Sequence, residues 1–105
     1  MAIVEVMPGI CGLRARIVSE ADELCNVTLE IASDCQHIRQ LAERLTQVSA
    51  LEELGSAITD TATYRAAANC KTHAACPVPA GILKAIEVAA GMALPADVQI
   101  SIRKD

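Results

Sequence analysis

The sequence predicts an α+β fold: a mainly antiparallel sheet of about four strands, with helices packed on one face, in the order β-β-β-α-α-α-β. Three observations lead there. Apolar residues alternate with polar ones in the first third of the chain, the mark of half-buried strands. They then shift to helical spacing, and return to alternation near the end. A run of strands followed by a run of helices favours a layered α+β domain over alternating βαβ units. The 105 residues suffice for a single domain, 1–105.

Val4 and Val6 alternate with Ile3, Glu5 and Met7; Leu13, Ala15 and Ile17 with Arg14 and Arg16; and Val27, Leu29 and Ile31 with Thr28 and Glu30. Pro8, Gly9 and Gly12 supply turn chemistry for the first connection, and the residues from Ser19 to Leu24 read as a polar second one. Ile38, Leu41, Ala42, Leu45 and Val48 fall on one helical face, with Ser33 and Gln36 as a capping box; this predicts a helix over 34–49. Leu51 to Leu54 add a short helical turn in which Glu52 and Glu53 read as solvated. Asp60 reads as the cap of an alanine-rich helix over 61–69. Pro79 suits the start of a last helix over 79–91, ended by Gly91 and Pro95. Val98, Ile100 and Ile102 alternate with Gln99, Ser101 and Arg103 as a final strand.

Apolar residues make up 52% of the chain, yet Phe and Trp are absent and Tyr64 is the single tyrosine, so the core must be aliphatic. Nine basic residues against 13 acidic ones give a net charge of −4, which argues against nucleic acid. No uncharged run reaches membrane-spanning length, since Lys84 and Glu87 interrupt the longest. The first residues carry no basic, secretory-type leader. The expectation is a cytoplasmic protein with no nucleic-acid or membrane partner. The helix over 79–91 is apolar on nearly every side, so a homodimer through it is expected.

Five cysteines then carry the chemical interest. In the cytosol an odd number points to metal binding, thiol chemistry or plain burial rather than a disulfide framework. Cys11 sits in a glycine-flanked turn, Cys35 near a helix start, Cys70 at a helix end, and Cys76 just ahead of the last helix. Helix N-termini favour thiolates, which are both nucleophiles and metal ligands. Cys11, Cys35, Cys70 and Cys76, with His73 as a substitute, match the ligand number of zinc or an iron–sulfur cluster, although no CxxC pair is present. Buried cysteines acting as small hydrophobes in a structural or interaction module are the plainer alternative. Cys25 and His37 read as incidental and structural. No Ser/His/Asp grouping, phosphate loop or pair of buried carboxylates marks conventional catalysis.

Three blocks carry a resemblance: Gly9-Ile10-Cys11-Gly12; the stretch from Asn26 to Cys35; and the stretch from Cys76-Pro77-Val78-Pro79 through Gly81-Ile82-Leu83-Lys84-Ala85-Ile86-Glu87 to Gly91, followed by Leu94-Pro95. Together these resemble a small uncharacterised prokaryotic family of about this length. The resemblance implies that Cys11, Cys35, Cys70 and Cys76 belong to the family pattern and that Cys25 does not; it implies no activity. Separately, Cys76-Pro77-Val78-Pro79 before a helix is similar to the Cys-Pro-x-Pro motif of sulfur-carrier proteins that relay persulfide for tRNA thiolation. There the motif lies near the N-terminus; here it lies near the C-terminus. This resemblance implies Cys76 as the alternative reactive thiol.

Overall fold

The computed structural model describes residues 1–105. Four strands, β1 (Ala2–Val6), β2 (Ala15–Ala21), β3 (Asn26–Ser33) and β4 (Gln47–Ser49), form one sheet in the order β1-β2-β3-β4. Every neighbouring pair is antiparallel. The four helices are α1 (Gln36–Arg44), α2 (Ala50–Gly55), α3 (Ala62–Asn69) and α4 (Val78–Ala89), with a 3-10 turn at Ile58–Asp60. The fold class is the α+β one that the alternation predicts.

Register explains which face is covered. Ile17 lies opposite Val4 and Ile31, Ser19 opposite Leu29, and Val27 opposite Ala21 and Val48. All point to the helical layer, where α4 packs on β1 and β2 while α1 packs on β3. The other face, with Ile3, Glu5, Arg16, Glu20, Thr28 and Glu30, is exposed. The core is aliphatic as expected: Ile17, Ile38, Leu41, Ile82 and Ile86 are almost fully buried. Ser19 is one of four buried polar residues, with Glu53, Thr61 and Thr63. Its hydroxyl donates to the Ala85 carbonyl at 2.9 Å, a buried tie between sheet and helix. The apolar surface of α4 is taken up within the chain by β1, β2, α2 and α3.

Three elements differ from the sequence reading. First, α1 ends at Arg44, because Leu45 leaves helical geometry (φ −112°, ψ 81°). Leu45 and Val48 are still buried, but through an extended segment that becomes β4. Second, residues 98–102 form no strand, and Val98, Ile100 and Ile102 are 65%, 70% and 87% exposed. The fourth strand is therefore Gln47–Ser49, and the order of strands and α-helices is β-β-β-α-β-α-α-α. Third, Glu53 is buried at 5% rather than solvated. It supplies the helix cap expected of Asp60, together with Thr61, whose hydroxyl accepts from Tyr64 N.

The β2–β3 turn shows how one carboxylate fixes a connection. Cys25 has a positive φ of 63°, costly for a side-chain-bearing residue. Asp22 holds the turn by accepting from the backbone N–H of Leu24 at 2.8 Å and of Asn26 at 2.9 Å. The Asn26 N–H is the main cause of an Asp22 carboxyl held below its ordinary value, with desolvation opposing and Leu24 helping. A depressed folded-state value means the ionised carboxylate stabilises the turn above the ordinary aspartate range, and this is lost as pH falls through the depressed value. In an NMR titration the Asp22 carboxyl should titrate below the ordinary aspartate range, with Leu24 and Asn26 amides shifting alongside it. An ordinary aspartate midpoint would remove this role.

Candidate cysteine site

Strand direction decides where the cysteines gather. Val6, Ala15 and Ser33 are paired across β1, β2 and β3, so the β1–β2 loop and the β3–α1 junction leave the sheet from one end. Cys11 lies at the tip of that loop. Gly9 and Gly12, both at positive φ (99° and 69°), close the turn with a 3.0 Å bond from Gly12 N to Gly9 O, leaving the Cys11 side chain exposed. Cys35 lies two residues past the end of β3, as the extended residue capping α1.

Ser33 stitches these two segments together. Its hydroxyl donates to Arg14 O at 2.9 Å and accepts from Cys35 N at 3.1 Å. The sequence reading gave Ser33 the capping position; instead it turns the chain two residues earlier and fixes Cys35 there. Arg39 reinforces the junction by donating to the carbonyls of Ser33 and Asp34.

Cys76 reaches the same end on the helical layer. Its N–H donates to His73 O at 2.9 Å, and α4 starts two residues later with Pro79 in its first turn. α4 lies close against β1 there: a Cβ on Gly81 would sit 2.6 Å from Val6 Cγ2. The Cys76 thiol is pushed up from its ordinary value, first by burial, and further by the negative charges of Cys35 and Cys11; the Val78 N–H pulls the other way. The helix start therefore does not give Cys76 the lowered pKa expected of it, because desolvation outweighs one N–H. Cys35 and Cys11 are thus each within electrostatic reach of Cys76.

Cys70 is held differently. α3 ends in a Schellman motif, with Lys71 at φ 55° and Thr72 N bonded to Ala67 O, and the Cys70 side chain is buried at 3% in the aliphatic core. Its carbonyl is 2.9 Å from His37 Nδ1. A carbonyl only accepts, so Nδ1 carries the hydrogen, and the lone pair of the neutral ring falls on Nε2. This is the backbone-oriented arrangement common among ligating histidines, two residues from Cys35. Sequence reasoning set His37 aside, and its proximity to Cys35 was the available signal. His73 is exposed in the loop between α3 and α4. Cys25 sits in the β2–β3 turn at the opposite end of the sheet, apart from the others.

All five cysteines are free thiols. No three His, Cys, Asp or Glu side chains stand in the geometry that grips one ion. An open hollow of about 450 Å³ on the neighbouring sheet surface is lined by Glu5, Arg14, Arg16 and Asp34 among others, and by no cysteine. No helix is long and apolar enough to cross a membrane.

The model of a family of unknown function, DUF6951, matches residues 2–102. The chain belongs to this family. The matched residues include every strand and every helix, and the family is one without an assigned function, as the resemblance of the three sequence blocks implied. No curated protein and no solved structure matches the chain.

Proposed function

We propose that this member of the family is a cysteine-cluster domain that binds a zinc ion or an iron–sulfur cluster through Cys11, Cys35 and Cys76, with the fourth donor drawn from Cys70 or His73. The observation that carries the reading is that the loop bearing Cys11, the Cys35 cap of α1 and the approach to α4 at Cys76 all lie toward one end of the sheet. Crowded thiols resist ionising together, and a bound cation removes that resistance. Soft sulfur donors suit zinc or iron–sulfur centres over magnesium or calcium. The loop carrying Cys11 turns on two glycines, so its thiol can approach the other two without disturbing the sheet. A reducing, cytoplasmic setting belongs to the same proposal and is supported by five free thiols.

The persulfide-carrier alternative, centred on Cys76, has the Val78 N–H contact in its favour and burial against it. Cobalt(II) titration under reducing, anaerobic conditions separates the readings, because thiolate-to-cobalt absorption reports sulfur ligation. Cys11→Ser, Cys35→Ser and Cys76→Ser should each weaken uptake by more than the ~10–100-fold that loss of an outer-shell partner costs. Cys25→Ser should leave it unchanged. Uptake that ignores the first three substitutions, or responds equally to the fourth, would rule out the cluster.

A further inference from the structure

The alternation of Val98, Ile100 and Ile102 is a strand pattern without a strand. Residues 94–105 are all exposed, and their backbone N–H and C=O groups make no hydrogen bond to the rest of the chain. The segment begins where α4 is closed by Gly91 at φ 74°, with Met92 and Ala93 N–H groups on Glu87 O, and it leaves the packed layers after Pro95. The molecule measures 47 × 28 × 24 Å, the elongation expected when a dozen residues lie outside the body. Three aliphatic side chains in water at every second position, on an unbonded backbone, are the features of a strand that pairs elsewhere.

The same chain offers a matching edge. β1 ends the sheet, so one side of its backbone has no neighbouring strand. It is five residues long, the length of 98–102. Its core-facing residues Val4 and Val6 are only half-buried, although β2 and α4 cover them from two directions. The uncovered direction is the one an added strand would occupy.

We infer that residues 98–102 of one copy pair with the free edge of β1 in a second copy, reciprocally, giving a two-fold dimer with a five-stranded sheet in each half. Val98, Ile100 and Ile102 then continue the layer of Val4 and Val6 beside α4. The alternation puts Gln99, Ser101 and Arg103 on the open face, where Arg103 meets a surface bearing Glu5 and Glu20. A reciprocal exchange is closed, so it occupies the β1 edge of both copies and leaves no unmatched tail to seed a fibre. The dimer expected through the 79–91 helix is thereby relocated to β1 and the tail.

Sedimentation of the full chain across the micromolar range, with cysteines reduced and metals chelated, tests this independently of the cysteine proposal. Wild type should sediment as a dimer, and Ile100→Pro as a monomer with an unchanged circular dichroism spectrum, because position 100 lies outside the packed body. Hydrogen exchange on the wild type gives the second readout: amides of residues 98–102 and the outward amides of β1 should be slow in the dimer and become fast on dilution. A wild-type monomer throughout, a dimer that survives Ile100→Pro, or fast exchange at 98–102 in the dimer would each overturn the inference.

Discussion

Replacing Glu53 by alanine should lower the folding stability by about 3 kcal/mol, a large effect for a residue that sequence patterning assigns to solvent. Glu53 is buried at 5%, and its carboxylate takes three donors at the start of α3: Ala62 N at 2.7 Å, Thr63 N at 2.8 Å and the Thr63 hydroxyl at 2.6 Å. Hydrogen bonds to a charged group contribute about 1.5–3 kcal/mol each, less than additively when they share one acceptor. The carboxylate also lies at the positive end of the α3 dipole. Truncation leaves those donors in a site where Thr63 is fully buried. Glu53→Gln keeps the shape but directs an NH2 group at an N–H donor, so it should recover only part of the loss. Urea unfolding should show a lower midpoint with an unchanged slope. A change below about 1 kcal/mol would show that water replaces the carboxylate without cost.

Gly81→Val should cost a similar amount, about 3 kcal/mol, and should also disturb the cysteine end. A Cβ at position 81 would lie 2.6 Å from Val6 Cγ2, 3.6 Å from Val4 Cγ1 and 3.9 Å from Ile17 Cδ1. The first distance is far inside contact, and the valine it meets is stiff at χ1. Glycine inside a helix is itself unfavourable by about 1 kcal/mol relative to alanine. Gly81→Ala recovers that amount while overpacking costs about 1–3 kcal/mol, so it should be destabilising by a smaller margin. Valine adds two methyl groups in the same gap. α4 must then lift from β1 at its first turn, carrying Cys76 away from Cys11 and Cys35. Cobalt uptake should therefore weaken in Gly81→Val even under conditions where the protein stays folded. Unchanged stability for Gly81→Val would mean that β1 yields freely at its edge.

The parts of the fold legible in the sequence are those set by long, regular patterns. Three alternating runs gave β1, β2 and β3, and the proline-started apolar run gave α4. β4 was hidden because Leu45 and Val48 keep helical spacing with Leu41 while the backbone between them is extended; both are buried by a segment with no glycine or proline to mark the change. Residues 98–102 carry a true strand pattern, but pairing is a tertiary property that alternation does not specify. Glu53 was missed for a related reason. Two adjacent glutamates look alike in sequence, and only the return of the chain at Ala62 and Thr63 separates the buried one from the exposed one.

For the candidate site, turn chemistry at Gly9–Gly12 and the helix start after Cys35 were readable locally, and so was the placement of Cys25 in a different connection. Their meeting at one sheet end follows from strand direction, which an antiparallel meander dictates. The direction of the Cys76 shift was not readable, because it depends on how much of the thiol α4 and the core remove from water.

Zinc and iron content of protein purified without air is the most direct measurement. With no tryptophan and a single tyrosine, the protein contributes little ultraviolet absorption of its own, so a sulfur–metal band would stand out. The cluster predicts about one zinc ion or one iron–sulfur cluster per folded chain, released on acidification as the thiolates take up protons. Well-folded protein carrying far less than one equivalent of either metal would contradict it, leaving the five thiols as parts of an aliphatic domain.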